Sequence, residues 1–341
     1  MNDWQLCGLS LRPGEKRQTV LRVPMEGTPN GGSLGPGSEK RGSAGDYEIP
    51  ATLINGARPG KTLLVTASIH SGEYIGVPAV IRTAAELDPA KMSGRVILLH
   101  CVNTSGFWGL SPALVPEDGY NLNHGYPPPA EKRVGGRIAA WFLRELLPQV
   151  DFLFDLHGGS QSETMTPLIF YPDAPGVTAE ALAAAKALDV ETLVESEARD
   201  GEYSYAANFL NIPGLLHERG SGLFVTGAEV EEDRRQLRLL MDHLGVYPAE
   251  GWTRAEKPRR VFHKAVYLDA DTQGLWYPCA GLGETVPKGQ PFGRLEDFFG
   301  NVLKEYVAPE DITILYYNAA LAIRPGDFLT AYGLNESVEE Y

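Results

Sequence analysis

The stretch K-T-L-L-V-T-A-S-I-H-S-G-E-Y-I-G-V-P-A-V, residues 61–80, joins an apolar run to two side chains that bind metals. The run at 62–69 predicts a β-strand that leads directly into His70 and Glu73. Apolar residues then recur at helical spacing over 76–87. α/β proteins place their chemistry in the turns that follow such strands. We therefore expect site residues in this turn.

A second candidate strand ends on another histidine. Residues 152–156, F-L-F-D-L, lead to His157 and two glycines. Catalytic zinc uses three nitrogen or oxygen ligands and keeps one position open, which His70, Glu73 and His157 would supply for one Zn²⁺ per chain. For either motif alone we would favour the simpler interpretation, a chance occurrence of H-x-x-E and a buried histidine at position 157. Their position at two strand ends, with a base downstream, favours a metal.

That base is Glu218, at the end of a short apolar run before R-G-S-G. A carboxylate beside a metal accepts a proton from water and passes it to a leaving nitrogen. A surface acid after a strand is the alternative reading. The neighbouring His217 should point to the opposite face, because side chains alternate along a strand.

The composition narrows the functional classes. The 341 residues are 43% hydrophobic, which excludes a disordered chain and allows a large core. The net charge of −14 argues against nucleic acid or an anionic membrane as a binding partner, since proteins bind both through clustered lysine and arginine. The composition is more consistent with a small-molecule substrate. It neither predicts nor excludes a homo-oligomer. The sequence shows no leader pattern, no apolar run of membrane-spanning length and no disulfide-like spacing of its three cysteines. We therefore expect a cytoplasmic protein.

The order of the elements predicts two domains. Residues 1–255 alternate candidate strands and amphipathic helices, which indicates an α/β domain with a mixed, mostly parallel sheet and helices on both faces. Within it, the Gly-, Ser- and Pro-rich segment 27–45 predicts a flexible loop. Residues 256–341 contain short β-like runs divided by Gly and Pro, so we predict a smaller all-β C-terminal domain.

Five features in this order resemble the succinylglutamate desuccinylase/aspartoacylase family of the zinc carboxypeptidase superfamily. They are H-S-G-E at 70–73, D-G-Y-N-L-N-H-G-Y-P at 118–127, D-L-H-G-G at 155–159, I-P-G-L-L-H-E-R-G at 212–220, and a β-rich C-terminal region with V-P-K-G-Q-P-F-G at 286–293. The resemblance extends from about Tyr47 to Gly333. It implies a zinc carboxypeptidase-like fold, Glu218 as general base, and a C-terminal region that packs over the mouth of the cleft.

The second of these motifs departs from the family. The family pattern is close to D-L-N-R-x-F-P, whose Asn and Arg bind the substrate carboxylate; here Asn123 is retained and His124 replaces the Arg. A further Arg that steadies the oxyanion should precede this point, yet residues 97–130 contain neither Arg nor Lys. Histidine is only a partly charged, single-donor replacement. Either the substrate lacks the usual carboxylate, or another cation such as Arg219 or Arg137 reaches it.

We expect a zinc-dependent hydrolase that cleaves the amide of a small N-acylated amino acid or amine with metal-activated water. The candidate substrate-binding residues are Asn123, His124, Arg219 and Glu163, the last of which is equally well read as a surface acid. A zinc carboxypeptidase-like peptidase acting on a peptide or peptidoglycan fragment is one alternative, weakened by the missing arginines. A catalytically silent zinc-binding homologue is another, weakened by the retained Glu218.

Overall fold

A computed structural model of the chain describes residues 2–25, 45–111, 113–128, 133–255 and 258–339. The predicted loop at 27–45 lies outside these residues, apart from Gly45. The strands are β1 (Trp4–Leu6), β2 (Leu9–Leu11), β3 (Glu15–Val23), β4 (Tyr47–Asn55), β5 (Arg58–Ala67), β6 (Ser93–Leu99), β7 (Phe152–His157), β8 (Glu163–Met165), β9 (Leu168–Pro172), β10 (Thr192–Ser196), β11 (Gly214–Glu218), β12 (Arg259–Asp269), β13 (Gly274–Pro278), β14 (Thr285–Val286), β15 (Pro291–Glu296), β16 (Val302–Val307), β17 (Ile312–Asn318), β18 (Ala322–Ile323) and β19 (Phe328–Glu339).

Six α-helices accompany these strands: α1 (Gly76–Glu86), α2 (Thr104–Gly109), α3 (Val134–Trp141), α4 (Thr178–Ala187), α5 (Glu202–Leu210) and α6 (Gly227–His243). Helix α3 is continued by a π-helical segment, Phe142–Leu146. Short 3₁₀ turns cover Pro89–Lys91, Leu122–His124 and Leu147–Gln149. In the described part of the chain, no helix is long and apolar enough to cross a membrane.

Thirteen strands form one continuous sheet. Twelve follow the order β14-β17-β19-β12-β10-β9-β11-β7-β5-β6-β4-β3, and β8 pairs with β17 beside this path. Strands β6, β5, β7 and β11 form one parallel block, and β9, β10 and β12 form a second. The two blocks meet at the antiparallel pair β11–β9, and the outer strands are antiparallel. The predicted mixed sheet is confirmed.

Both faces of the sheet are covered by helices, as predicted. Strand β5 illustrates this. Its residues Leu63 and Val65 belong to one hydrophobic core, which includes side chains of α1, α4 and α6. Leu64, between them, belongs to the core on the other face, which includes side chains of α3 and α5. An apolar strand that alternates between two cores must be buried on both sides. β5 ends at Ala67, two residues earlier than predicted, because Ser68 has a left-handed φ of 60°.

The C-terminal region is β-rich, as predicted, but its strands belong to two sheets. β12 pairs in parallel with β10 and antiparallel with β19, so it extends the main sheet. β16, β15, β13 and β18 form a separate antiparallel sheet. Its side chains Trp276, Phe292 and Leu295 share a core with residues of β17 and β19 of the main sheet. The domain boundary at 255/256 stays a prediction.

The site is positioned by three adjacent parallel strands, β11, β7 and β5. Their register places Glu218 opposite His157, and Leu156 opposite Ala67. Their carboxyl ends therefore meet at one edge of the sheet, where the loop after β5 adds His70 and Glu73.

Candidate metal centre and its cleft

Three side chains converge at this edge. Glu73 Oε1 lies 2.8 Å from His70 Nδ1, and its other oxygen, Oε2, lies 2.9 Å from His157 Nδ1. The two imidazole rings are perpendicular, with centroids 5.0 Å apart. One ligand atom from each residue lies within 4.8 Å of the others. Two imidazole nitrogens and one carboxylate oxygen at this spacing fit a single metal ion.

Glu73 is charged although it is buried. Only 6% of its surface is exposed. Burial alone would raise the pKa of its carboxyl, but the two imidazoles lower this pKa to about 2. The carboxylate is therefore ionised and ready to bind a cation.

Hydrogen bonds orient both histidines from behind. Asp155 Oδ2 lies 2.9 Å from His157 Nε2, and Thr66 Oγ1 donates to Asp155 Oδ1 at 2.7 Å. Asn121 Oδ1 lies 3.0 Å from His70 Nε2. In each histidine this leaves Nδ1 facing Glu73. Such partners fix the tautomer and ring orientation of metal-binding histidines.

Glu218 ends β11 and carries a buried oxygen, Oε2, that has no hydrogen-bond partner in the described part of the chain. Burial and the charge of Glu73 raise the pKa of its carboxyl well above the ordinary value. His217 points to the other face, where it is fully buried and stacks on Phe154. A carboxyl oxygen that lacks a hydrogen-bond partner and lies beside the candidate metal ligands is placed to exchange protons with a bound ligand.

Gly158 is required by the close approach of β7 and β11 at this edge. A Cβ at position 158 would lie 2.0 Å from the carbonyl oxygen of Arg219. Any larger residue would push apart the strand ends that hold His157 and Glu218.

The candidate metal site opens into a cleft with a volume of about 620 Å³, which is within the range of small-molecule sites. Glu218, His70 and Glu73 line it together with residues of the C-terminal region, namely Lys264, Ala265, Tyr267, Tyr316 and Phe328. The expectation that this region packs over the cleft is thus confirmed.

The predicted substrate-binding residues occupy different places. Asn123 and Glu163 line the cleft. His124 also borders it, but its side chain is exposed and lies 3.4 Å from Asp200. The structure therefore places Asn123, Glu163 and His124 in the lining of one cleft, and of the three only His124 has an exposed side chain.

Arg219 does not line the cleft. Its Nη1 donates to Glu229 at 3.1 Å, and its Nε lies 3.7 Å from Asp233. Both acids belong to α6, on the other side of the strand from Glu218. Arg137, the other candidate cation, donates to the carbonyl oxygen of Pro24 and is likewise absent from the cleft wall. Among the described residues, Lys264 is the single lysine or arginine that lines the cleft.

Residues 59–244 match the sequence model of the succinylglutamate desuccinylase/aspartoacylase catalytic domain. The chain belongs to this family. The match covers all three candidate ligands and Glu218, and it ends at the last turn of α6.

Individual relatives of this family member align with nearly its whole length. An N-alpha-acetyl-L-2,4-diaminobutyric acid deacetylase from Halomonas elongata is 25% identical over 94% of this chain and 96% of its own. The product-bound ectoine utilization protein of Ruegeria pomeroyi superposes with a TM-score of 0.81 at 24% identity, over 94% of this chain and 95% of that chain. A succinylglutamate desuccinylase/aspartoacylase from Rhodobacter sphaeroides gives 0.78 at 24% identity, over 96% and 95%. These structures establish the fold.

Several residues of this desuccinylase/aspartoacylase-family site were not singled out by the sequence patterns. Asp155 had a local signal, because it lies two residues before His157 and so shares its face of the strand. Asn121 lies in a motif that was recognised, but only its neighbours were assigned. Tyr316 and Lys264 had no local signal, because the pairing of distant strands brings them to the cleft.

Proposed function

We propose that the protein is a zinc-dependent hydrolase that removes the acyl group from a small N-acylated amino acid or amine. The observation that carries the proposal is that His70 and Glu73, which form one candidate metal site with His157, line the same small cleft as Glu218, whose Oε2 has no hydrogen-bond partner among the described residues. The names of the relatives, a deacetylase and desuccinylases, support cleavage of an amide.

Zinc is the metal that this ligand set suits best. Two imidazole nitrogens and one carboxylate oxygen are the ligands found in several zinc hydrolases, and the buried environment fixes their geometry. Zinc held by His70, Glu73 and His157 supplies Lewis acidity, which polarises the acyl carbonyl and increases the acidity of water.

Glu218 is the group that moves the proton. The oxygen of the attacking water forms a bond to the acyl carbon, and Glu218 takes the proton that this water releases. As the bond between that carbon and the nitrogen breaks, Glu218 gives the proton to the nitrogen, so the products are a carboxylic acid and an amine. A raised pKa strengthens the carboxylate as a base and lets it hold the proton between the two steps.

The cleft suits a small substrate. Met165, Phe170 and Leu216 provide an apolar floor, and Tyr267 and Tyr316 close one wall. The arginines with which the family pattern binds a substrate carboxylate have no counterpart among the described cleft residues. Asn123 retains the amide of that pattern. The residues that recognise the substrate therefore differ from those that the family motif implies. The three candidate metal ligands are retained.

The test is hydrolysis of a panel of N-acyl amino acids, N-acyl amines and short peptides, with zinc content measured on the same sample. We expect release of the acyl group from a subset of the N-acyl compounds, about one zinc per chain, and loss of activity on chelation that added zinc restores. Cleavage of the peptides alone, or zinc binding with no hydrolysis of any compound, would contradict the proposal.

A further inference from the structure

The charges that line the cleft point to the chemistry of its ligand. Beyond Glu73 and Glu218, the carboxylates of Glu163, Glu195 and Glu197 line it. Against these stands one lysine among the described residues, Lys264. A cleft that binds an acidic substrate needs fixed cations, because a carboxylate leaves water only when it is paired. Away from the proposed zinc, the described lining of this cleft therefore carries more negative than positive charge and favours a cationic group on the ligand.

Of the three additional acids, Glu163 is the one arranged to bind a ligand. Glu195 lies 2.8 Å from the Nδ1 of His263, and Glu197 is exposed. Glu163 is half-buried, and its Oε2 accepts hydrogen bonds from the backbone N–H and the hydroxyl of Ser160, at 3.2 and 2.7 Å. Within the described chain, no lysine or arginine forms an ion pair with it, and no hydrogen bond engages its Oε1. One oxygen is thus held in place while the other remains available.

Glu163 is also fixed relative to the proposed base. The N–H of Gly222, in the loop after Glu218, donates to the carbonyl oxygen of Glu163 at 2.9 Å. Beside this bond, the hydroxyls of Thr164 and Ser221 lie 2.8 Å apart. The charge of Glu163 contributes to the raised pKa of Glu218, after burial and Glu73. The two carboxyl groups therefore face the same space from two elements that are bonded to each other.

We propose that the substrate carries a protonated amine in addition to its acylated nitrogen, and that Glu163 binds this amine. The substrate class is then an N-acylated diamine or diamino acid. The inference rests on the proposed function, because the acylated nitrogen must reach Glu218 and the metal ligands while the ammonium reaches Glu163. An ammonium group offers three donors and a compact charge, which suits a single oriented carboxylate oxygen.

The test measures binding separately from hydrolysis. The zinc-loaded protein is titrated calorimetrically with three amino acids whose side chains end differently: 2,4-diaminobutyrate in an ammonium, norvaline, of the same length, in a methyl, and glutamate, one atom longer, in a carboxylate. We expect 2,4-diaminobutyrate to bind more tightly than the other two by roughly ten- to a hundredfold, the scale of one charge-assisted hydrogen bond. Glu163→Gln should abolish this preference. Glu310→Gln, which removes an equal charge at an exposed position outside the cleft, should keep it.

The Nα-acetyl derivatives of the same three amino acids are assayed in parallel. Equal or tighter binding of norvaline or glutamate would overturn the inference, and so would a preference that survives Glu163→Gln. A cationic preference in binding combined with no hydrolysis of any acetyl derivative would count against the proposed function instead. If Glu163→Gln fails to fold, Ser160→Ala gives the second test, because it keeps the charge but removes the hydroxyl bond that orients it. The preference should then shrink, and an unchanged preference would refute the role of Glu163.

Discussion

The Oδ2 of Asp155 lies 2.9 Å from the Nε2 of His157, so a fully buried carboxylate orients the histidine whose other nitrogen faces Glu73. Replacing Asp155 by Asn should therefore weaken metal binding by roughly ten- to a hundredfold, the usual effect of losing such a partner. Zinc affinity measured by competition with a chelator checks this. Asp46→Asn, at an exposed position, is the matched control. Unchanged affinity in Asp155→Asn would show that His157 is oriented without it.

The metal itself gives a second prediction. His157→Ala should lose most of the zinc, because His157 is one of only three proposed protein ligands. Metal content by mass spectrometry measures the loss, and His243→Ala, at an exposed position at the end of α6, should retain full zinc. Full occupancy in a His70→Ala, His157→Ala double variant would mean that the ligands lie elsewhere.

Glu218 should be needed for turnover but not for the metal. Glu218→Gln keeps nearly the same size and shape but cannot take a proton, so we expect kcat to fall by about a hundredfold or more while zinc content and melting temperature stay near those of the wild type. Steady-state kinetics on the best substrate of the panel measures the loss. An active Gln variant would assign the base to another residue.

His124 should matter less than its position in the family motif suggests. Its side chain is exposed, and its Nδ1 lies 3.4 Å from Asp200. We expect His124→Ala to raise KM by less than about tenfold and to leave kcat nearly unchanged, since an exposed ion pair contributes about 1 kcal/mol or less. A large loss of kcat with zinc intact would place its imidazole at the reacting group.

A buried pair behind the site predicts a dependence of stability on pH. Burial, partly offset by Arg219, raises the pKa of Asp233 from 3.8 to about 8, while burial lowers the pKa of His217 well below its ordinary value. Asp233 Oδ1 lies 3.4 Å from His217 Nδ1, and both residues are then neutral near pH 7. Between the two pKa values of Asp233 the folded state binds the proton and the unfolded state does not. The contribution of Asp233 to the free energy of unfolding therefore falls as pH rises towards about 8 and levels off above it. His217 contributes in the opposite direction, because below its ordinary pKa of 6.5 only the unfolded state binds its proton, so the net fall lies between about pH 6.5 and pH 8.

Asp233→Asn removes this titration, so its melting temperature should fall less steeply than that of the wild type between about pH 6.5 and pH 8. Thermal unfolding across this range, with Asp46→Asn as the control, measures the slope. Equal slopes in wild type and Asp233→Asn would show that Asp233 is ionised in the folded protein.

Local patterns were sufficient for the parts of the fold that local chemistry determines. The alternation of Leu63, Leu64 and Val65 between two cores, and the helix after His70, follow from side-chain periodicity that is visible in the sequence. The candidate ligands were found for the same reason, because residues that follow parallel strands meet at one edge. Arg219 was placed near the substrate because it follows Glu218, but its orientation depends on Glu229 and Asp233, which lie further along the chain.

Pairing between distant strands was not visible in the sequence. The C-terminal region was predicted as a separate unit, and nothing in its residues indicated that β12 pairs with β10 or that β17 pairs with β8. These pairings bring Lys264 and Tyr316 to the cleft. They depend on long-range registers that no sequence motif records.

The pairing of β12 with β10 has a consequence for how the protein becomes active during synthesis. A nascent chain that has emerged only as far as α6 already contains all three proposed ligands and Glu218, but β10 is then an open edge of the sheet and the cleft lacks the wall formed by Lys264, Tyr267 and Tyr316. Such an intermediate offers its backbone to any other strand, which is a route to aggregation. Completion of the last strands protects that edge and, in the same step, finishes the pocket that selects the substrate.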